Sequence, residues 1–156
     1  MQYRTVELEE KTVVGLSART SNSAPDMGEI IGGLWRKFYS SGCCGLIGNR
    51  SDAYALGIYT DYENDENGSY TVMTACSVTS AENIPEGCKV IKIPAGKYAE
   101  FSIEGDMDTQ SQLAEVQKLW QEIWQCGLDR AYVCDFEEYR SSDPDKADIH
   151  IFIGLK

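Results

Sequence analysis

Leu34-Trp35-Arg36-Lys37-Phe38-Tyr39-Ser40-Ser41-Gly42 and Leu119-Trp120-Gln121-Glu122-Ile123-Trp124-Gln125-Cys126-Gly127 are two renderings of one pattern, 85 residues apart. Leucine, tryptophan and the closing glycine coincide. The fifth and sixth places carry a bulky apolar residue and then an aromatic one. Two further echoes keep the same order: Val14-Gly15 with Ala95-Gly96 upstream, and Asp61-Tyr62-Glu63 with Asp135-Phe136-Glu137 downstream. Repetition in register is the mark of a duplicated supersecondary unit.

Periodicity around the echo supplies the elements. Residues 29–40 place Ile30, Ile31, Leu34, Trp35 and Phe38 on one helical face, with Gly42 just past the end. Residues 109–125 do the same with Leu113, Val116, Trp120 and Ile123, followed by Gly127 and preceded by the capping candidates Asp106, Asp108 and Thr109. β-branched and alternating stretches precede each helix, at 12–18 and at 90–93 with 98–103, the latter two split by Pro94-Ala95-Gly96. Two strands follow each helix, at 53–62 and 70–78, then at 131–139 and 147–155. In the last strand Ile149, Ile151 and Ile153 share the face that reads as buried. The expected fold class is α+β: duplicated strand–helix–strand–strand units, about 1–80 and 86–156, related by a pseudo-two-fold axis within a single domain of residues 1–156. One unit cannot cover both faces of its sheet, so the expected sheet is antiparallel, with two main helices on one face and a central ligand cleft. The first unit is longer by the stretch 43–53, which reads as a surface loop and a candidate lid.

Charge and composition narrow the partners. Fourteen Lys and Arg stand against 25 Asp and Glu, a net charge of −11, and the basic residues are scattered. Phosphate backbones and anionic membrane leaflets both call for clustered cations, so direct DNA binding and membrane association are not expected. The N-terminus lacks the basic and apolar segments of a signal peptide, so the expected location is the cytoplasm. Six cysteines, at 43, 44, 76, 88, 126 and 134, include no Cys-x-x-Cys pair, and His150 is the one histidine. That set builds neither a tetrahedral zinc site nor a Ser-His-Asp or Cys-His centre, so no metal and no cofactor are expected, and the cysteines read as reduced structural thiols. Cys76, Cys126 and Cys134 lie in apolar segments, and His150 reads as a strand-surface or satisfied histidine. No phosphate-cradling glycine loop occurs.

The chemistry-bearing candidates are aromatic and acidic. Aromatic faces take up flat apolar or cationic molecules. The aromatic candidates offered by the echo are Trp35 with Trp120 and Tyr39 with Trp124, and Tyr59, Tyr62 and Tyr139 flank the acidic motifs, although tryptophans on amphipathic helices, Trp35 and Trp120 first among them, ordinarily fill the core. Glu63 and Glu137 hold equivalent places after the two helices. Strand alternation puts Asp135, Glu137 and Tyr139 on one face and Phe136 and Glu138 on the other. If Phe136 packs under the helices, Glu137 points away from them. Such a carboxylate can pair with a ligand cation or, once desolvated, act as a general acid or base.

Nearly the whole chain resembles the gyrase-inhibitor-like (GyrI-like) family, the bacterial effector-binding domain that is also the ligand-sensing part of AraC-type and MerR-type multidrug regulators. The resemblance is carried by Val13-Val14-Gly15-Leu16, Ile31-Gly32-Gly33-Leu34-Trp35, Leu56-Gly57-Ile58-Tyr59-Thr60-Asp61-Tyr62, the stretch Ile93-Pro94-Ala95-Gly96-Lys97-Tyr98, the motif Phe136-Glu137-Glu138-Tyr139, and residues 149–156. It implies a cleft for amphipathic, often cationic aromatic compounds, with Glu137 as the family's buried acid and Tyr139 and Tyr98 beside it. The function it implies is a stand-alone effector-binding protein for multidrug or toxin sensing or sequestration, more a binder than an enzyme. The alternatives are a hydrolase of electrophilic, cyclopropane-type molecules with Glu137 as the catalytic residue, and an acidic gyrase-interaction module. The partners it implies are a hydrophobic or cationic small molecule, and a separate regulator protein or gyrase, with the chain a monomer or a homodimer. No helix-turn-helix segment accompanies the pattern in this sequence.

Overall fold

A computed structural model of the chain describes residues 2–40 and 43–156, with the side chains of Cys43 and Cys44 outside the description. The helix-closing role expected of Gly42 and the thiol states of Cys43 and Cys44 lie outside the described residues. Eleven elements follow in chain order: β1 (Arg4–Leu8), β2 (Lys11–Ser21), α1 (Met27–Ser40), α2 (Cys43–Leu46), β3 (Ala55–Thr60), β4 (Ser69–Val78), β5 (Lys89–Ile93), β6 (Gly96–Asp106), α3 (Thr109–Gln125), β7 (Arg130–Tyr139) and β8 (Lys146–Leu155). The eight strands make one antiparallel sheet in the order β1-β6-β8-β7-β3-β4-β2-β5. Read from the middle outward, β3-β4-β2 mirrors β7-β8-β6, which is the duplicated unit.

The outermost strands are exchanged. β1 leads into β2 but bonds to β6, and β5 leads into β6 but bonds to β2. The strand β1 has no counterpart in the sequence reading, although Thr5-Val6-Glu7-Leu8 alternates. The exchange dictates shape. Leu8 and Lys11 are three peptide steps apart, a reach of about 11 Å at most. In a flat sheet their strands would lie about 29 Å apart, at ~4.8 Å for each of six spacings. The sheet therefore curls back on itself.

Inside the curl Val13, Leu56, Ile58, Met73, Phe136 and Phe152 form one core, joined by Val6 and Leu8 of β1 and Ile91 of β5. Lys11 reaches across the same face to Glu138, Nζ to Oε2 at 3.1 Å. Both long helices pack on the outer face. Leu34 and Phe38 of α1 lie over Val14, Val72 and Cys76. Val116 and Ile123 of α3 lie over Phe101, Ile149, Ile151 and Ile153. Asp108 caps α3 by accepting from the Ser111 amide at 2.7 Å. Gly127, at φ 74°, ends the helix in the left-handed region.

Residues 45–53 do not form a lid. The stretch 43–53 opens with the short α2, buries Ile47, and fastens to the end of β4 through Asn49, which accepts from the Thr79 amide at 2.8 Å and donates to Ser80. None of residues 45–53 lines the cavity between the long helices. Cys76 and Cys134 are buried, as their apolar segments suggest, whereas Cys126 is exposed where α3 ends. No helix among the described residues is long and apolar enough to cross a membrane.

Phe136 is fully buried at the centre of the inner core and stacks on Phe152 with ring centroids 4.7 Å apart. Phe136→Ala should cost about 3–5 kcal/mol in urea denaturation. A loss under about 1 kcal/mol would show that the curl is held by something other than this core.

Candidate functional site

The two helices do not meet over the centre of the sheet, and the gap between them is a cavity of about 410 Å³. Its floor is the β3–β7 seam, where Gly57 lies opposite Glu137. Trp35 of α1 and Trp120 and Trp124 of α3 form the walls, with Tyr59, Tyr62, Tyr70 and Tyr139 between them. Trp35 meets Tyr139 edge-on at 5.4 Å between centroids, and Trp120 meets Tyr59 at 5.2 Å.

Phe136 faces the inner core, away from the helices, so the alternation along β7 turns Glu137 up beneath them. The expectation that Phe136 packs under the helices is reversed. The sheet curls, so its far side is a second dry core, and it takes the phenylalanine.

Glu137 is 2% exposed and accepts three hydrogen bonds. Tyr139 donates to Oε1 at 2.7 Å, and Trp120 and Tyr59 donate to Oε2 at 2.6 and 3.3 Å. Burial raises its pKa above the usual carboxylate range, and the three donors offset only part of that. Both phenols are held far above the ordinary tyrosine range, first by their own burial and then by the Glu137 charge, so they remain donors.

Four carboxylates are buried among the described residues: Glu100, Asp135, Glu137 and Glu138. Glu100 pairs with Arg4 and His150, Asp135 with Arg130, and Glu138 with Lys11 and Arg140. Glu137 has hydrogen-bond donors but no cationic partner among the described ion pairs. A buried charge without a counter-charge is costly in a folded chain, and such groups gather where ligands bind.

Gly57 makes the arrangement possible. A Cβ at this position would stand 2.9 Å from Glu137 Oε1 and 3.2 Å from Trp35 Cζ2. The missing side chain is the space in which the carboxyl group lies.

Of the residues expected from sequence, Glu137, Tyr139, Tyr59, Trp35 and Trp124 line the cavity. Tyr98 does not. It lies on the inner face of β6, packed on Phe136 and donating to the Pro94 carbonyl at 2.6 Å, because Ala99 and Phe101 take the face under the helices. Tyr39 is one helical turn beyond Trp35, exposed, and stacked on the outside of that ring at 6.1 Å. Glu63 is exposed in the loop after β3 and does not line the cavity, so the acidic echo is not a symmetric pair of site carboxylates. His150 is a satisfied histidine, between Glu100 and Asp148. Trp120, read mainly as core, is the shortest donor to Glu137. Its place in the echo with Trp35 was the available signal. Tyr62 stood in the acidic echo without being chosen as a lining residue, and Tyr70 and Arg130 carried no such signal.

The profile of the Cass2 family, described as integron-associated effector binding protein, matches residues 4–155. The chain belongs to this family. YobU of Bacillus subtilis (strain 168), named a transcriptional regulator protein, is 27% identical over 159 residues, 96% of this chain and 94% of its own. The crystal structure of an integron cassette protein from the mobile metagenome of Vibrio cholerae is similar at 31% identity and TM-score 0.77, covering 99% of this chain and 95% of that one. The structure of SAV2435 bound to tetraphenylphosphonium shares the fold at TM-score 0.77 and 21% identity, covering 100% of this chain and 94% of that one.

Two outcomes follow for the site. Gly57→Ala should destabilise the chain by about 1–3 kcal/mol through overpacking and alter tryptophan emission, because the new methyl group displaces Glu137 or Trp35; unchanged stability and emission would mean the cradle has slack. The folded chain holds the Glu137 proton more tightly than the unfolded chain does. The resulting stability is full below about pH 4, the ordinary carboxyl range, and is lost as pH rises through the folded titration point. Urea midpoints from about pH 4.5 to about pH 8 should therefore fall relative to Glu137→Gln, which cannot ionise; parallel curves would contradict the raised titration.

Proposed function

We propose that this protein binds amphipathic aromatic cations in the cavity between α1 and α3, with Glu137 as the counter-charge, and serves to sense or sequester such compounds. The observation that carries this reading is the one buried carboxylate of the described residues that has no cation of its own, set at the base of an aromatic cavity. A ligand cation supplies the missing partner, and a desolvated charge-assisted contact contributes on the order of 1–3 kcal/mol. The tryptophan and tyrosine faces contribute area and cation–π attraction. A cavity of about 410 Å³ suits a compact polycyclic molecule. Tetraphenylphosphonium on a protein of the same fold supports the choice of ligand class.

A hydrolytic reading draws on the same carboxyl group. Its raised pKa at the base of an aromatic cavity suits a general acid. Turnover of an electrophilic small molecule, abolished in Glu137→Gln, would favour that reading over simple binding.

Titration with tetraphenylphosphonium, followed by tryptophan quenching, tests the proposal. Saturable binding is expected, weakened about tenfold or more in Glu137→Gln, the factor equivalent to 1.4 kcal/mol. The permanent cation favours the ionised carboxylate, so binding expels the Glu137 proton, and affinity should rise with pH through the titration of that group. The rise should vanish in Glu137→Gln. Equal affinity in both proteins, or none in either, would refute the role of Glu137.

A further inference from the structure

Arg130 lines the same cavity as Glu137, on the same strand. Across the sheet Glu137 faces Ile151 and Arg130 faces Leu155, so the two backbones lie roughly 13 Å apart along β8 at ~3.3 Å per residue. Between them the ladder is irregular. The five steps from Arg130 to Asp135 match two steps on β8, from Leu155 to Ile153. The excess is taken up in a bulge where Tyr132 adopts a φ of 52°. A bulky residue in the left-handed region is strained, and bulges re-aim side chains.

The side chain beside this bulge is a guanidinium. Arg130 lies 4.4 Å over the Tyr132 ring and is 5% exposed. Its Nη2 donates to Asp135 Oδ2 at 2.7 Å, and Tyr62 donates to the same oxygen at 2.5 Å. Tyr132 is itself held by a hydrogen bond to Glu66. Asp135 and the two tyrosines thus fix the guanidinium plane. Nε and Nη1 are buried and have no acceptor among the described residues. Buried donors of a charged fork are rarely left unmet. Arg130 lines the cavity, but both nitrogens are closed to a water-sized molecule as the side chain stands, so an acceptor reaches them only from a group that seats in the cavity and draws the guanidinium toward it.

We propose that Arg130 forms an acceptor subsite: the cavity selects aromatic cations that also carry a carbonyl or carboxylate oxygen, with the cation toward Glu137 and the oxygen toward Arg130. This rests on the binding function proposed above and adds a second pole to it. The dipolar ligand lies along the β3–β7 seam and spans the bulge.

Two dyes with one xanthylium core separate the ideas. Tetramethylrosamine is a cation without an acceptor, and tetramethylrhodamine methyl ester adds one ester group. Fluorescence anisotropy should show the ester bound about tenfold more tightly by the wild-type chain, the factor that one charge-assisted hydrogen bond supplies. Arg130→Gln combined with Asp135→Asn removes the guanidinium and its counter-charge together, so no buried charge is stranded. In that variant the ratio of the two dissociation constants should fall to within about twofold of unity, below the tenfold step. Arg130→Lys, which keeps the charge but loses the fork, should also lose most of the ratio and serves if the paired variant does not fold. Equal saturable affinity of the two dyes for the wild-type chain, or a preference that survives both variants, would overturn the subsite and leave the cation site standing. Failure of both dyes to bind would overturn the cation site and the subsite with it.

Discussion

The links Glu9-Glu10 and Pro94-Ala95 are two residues long, yet each joins strands that stand six positions apart in the sheet. Chain connectivity thus imposes the curl, and the curl makes two cores from one sheet. The inner core is closed by the sheet itself and needs no helix. The outer face is left to α1 and α3, which are separate amphipathic helices on separate halves. Because the inner core closes without them, the helices need not touch over the seam, and the space between them can remain open for a ligand. In a flat sheet the inner face would need its own cover.

The seam is also where a carboxylate can be buried at tolerable cost. Glu137 receives donors from β3, β7 and α3, so both halves of the molecule hold it in place. None of those donors titrates near neutral pH, so the site keeps its polarity while the carboxyl group itself gains or loses a proton. Gly57 removes the last obstacle by contributing no side chain. Glu100 behaves in the opposite way. Burial pushes the Glu100 carboxyl up, but the hydrogen bonds from Arg4 and His150 outweigh it and hold the group low.

Much of this architecture could be read from the residues. The helix at residues 109–125 and the pairs of strands after each helix follow from apolar spacing, and the echo of Trp35 in Trp120 pointed to a duplicated unit. Edge strand β1 was missed because its five residues carry only Val6 and Leu8 as apolar anchors, and its partner β6 lies about a hundred residues away in sequence. The orientation of β7 could not be decided by alternation alone. Both faces of a central strand in a curled sheet are buried, so Phe136 and Glu137 each had a plausible inside. Tyr98 was carried by a motif and not by its face. Arg130 was invisible for another reason, since a three-residue excess in a strand has no signature in hydrophobic pattern.

The exchanged edges also set the order in which the chain can fold. Arg4 pairs with Glu100, and Lys11 with Glu138 across 127 residues. Contacts of such sequence separation form slowly, because the loop between them must close before they contribute. On the ribosome, β1 has no partner until β6 has emerged, and β2 lacks one neighbour until β5 arrives. β1 is made long before its partner and is therefore among the last of these strands to be placed. Its short length and its charged residues Arg4 and Glu7 discourage pairing with another copy while it waits.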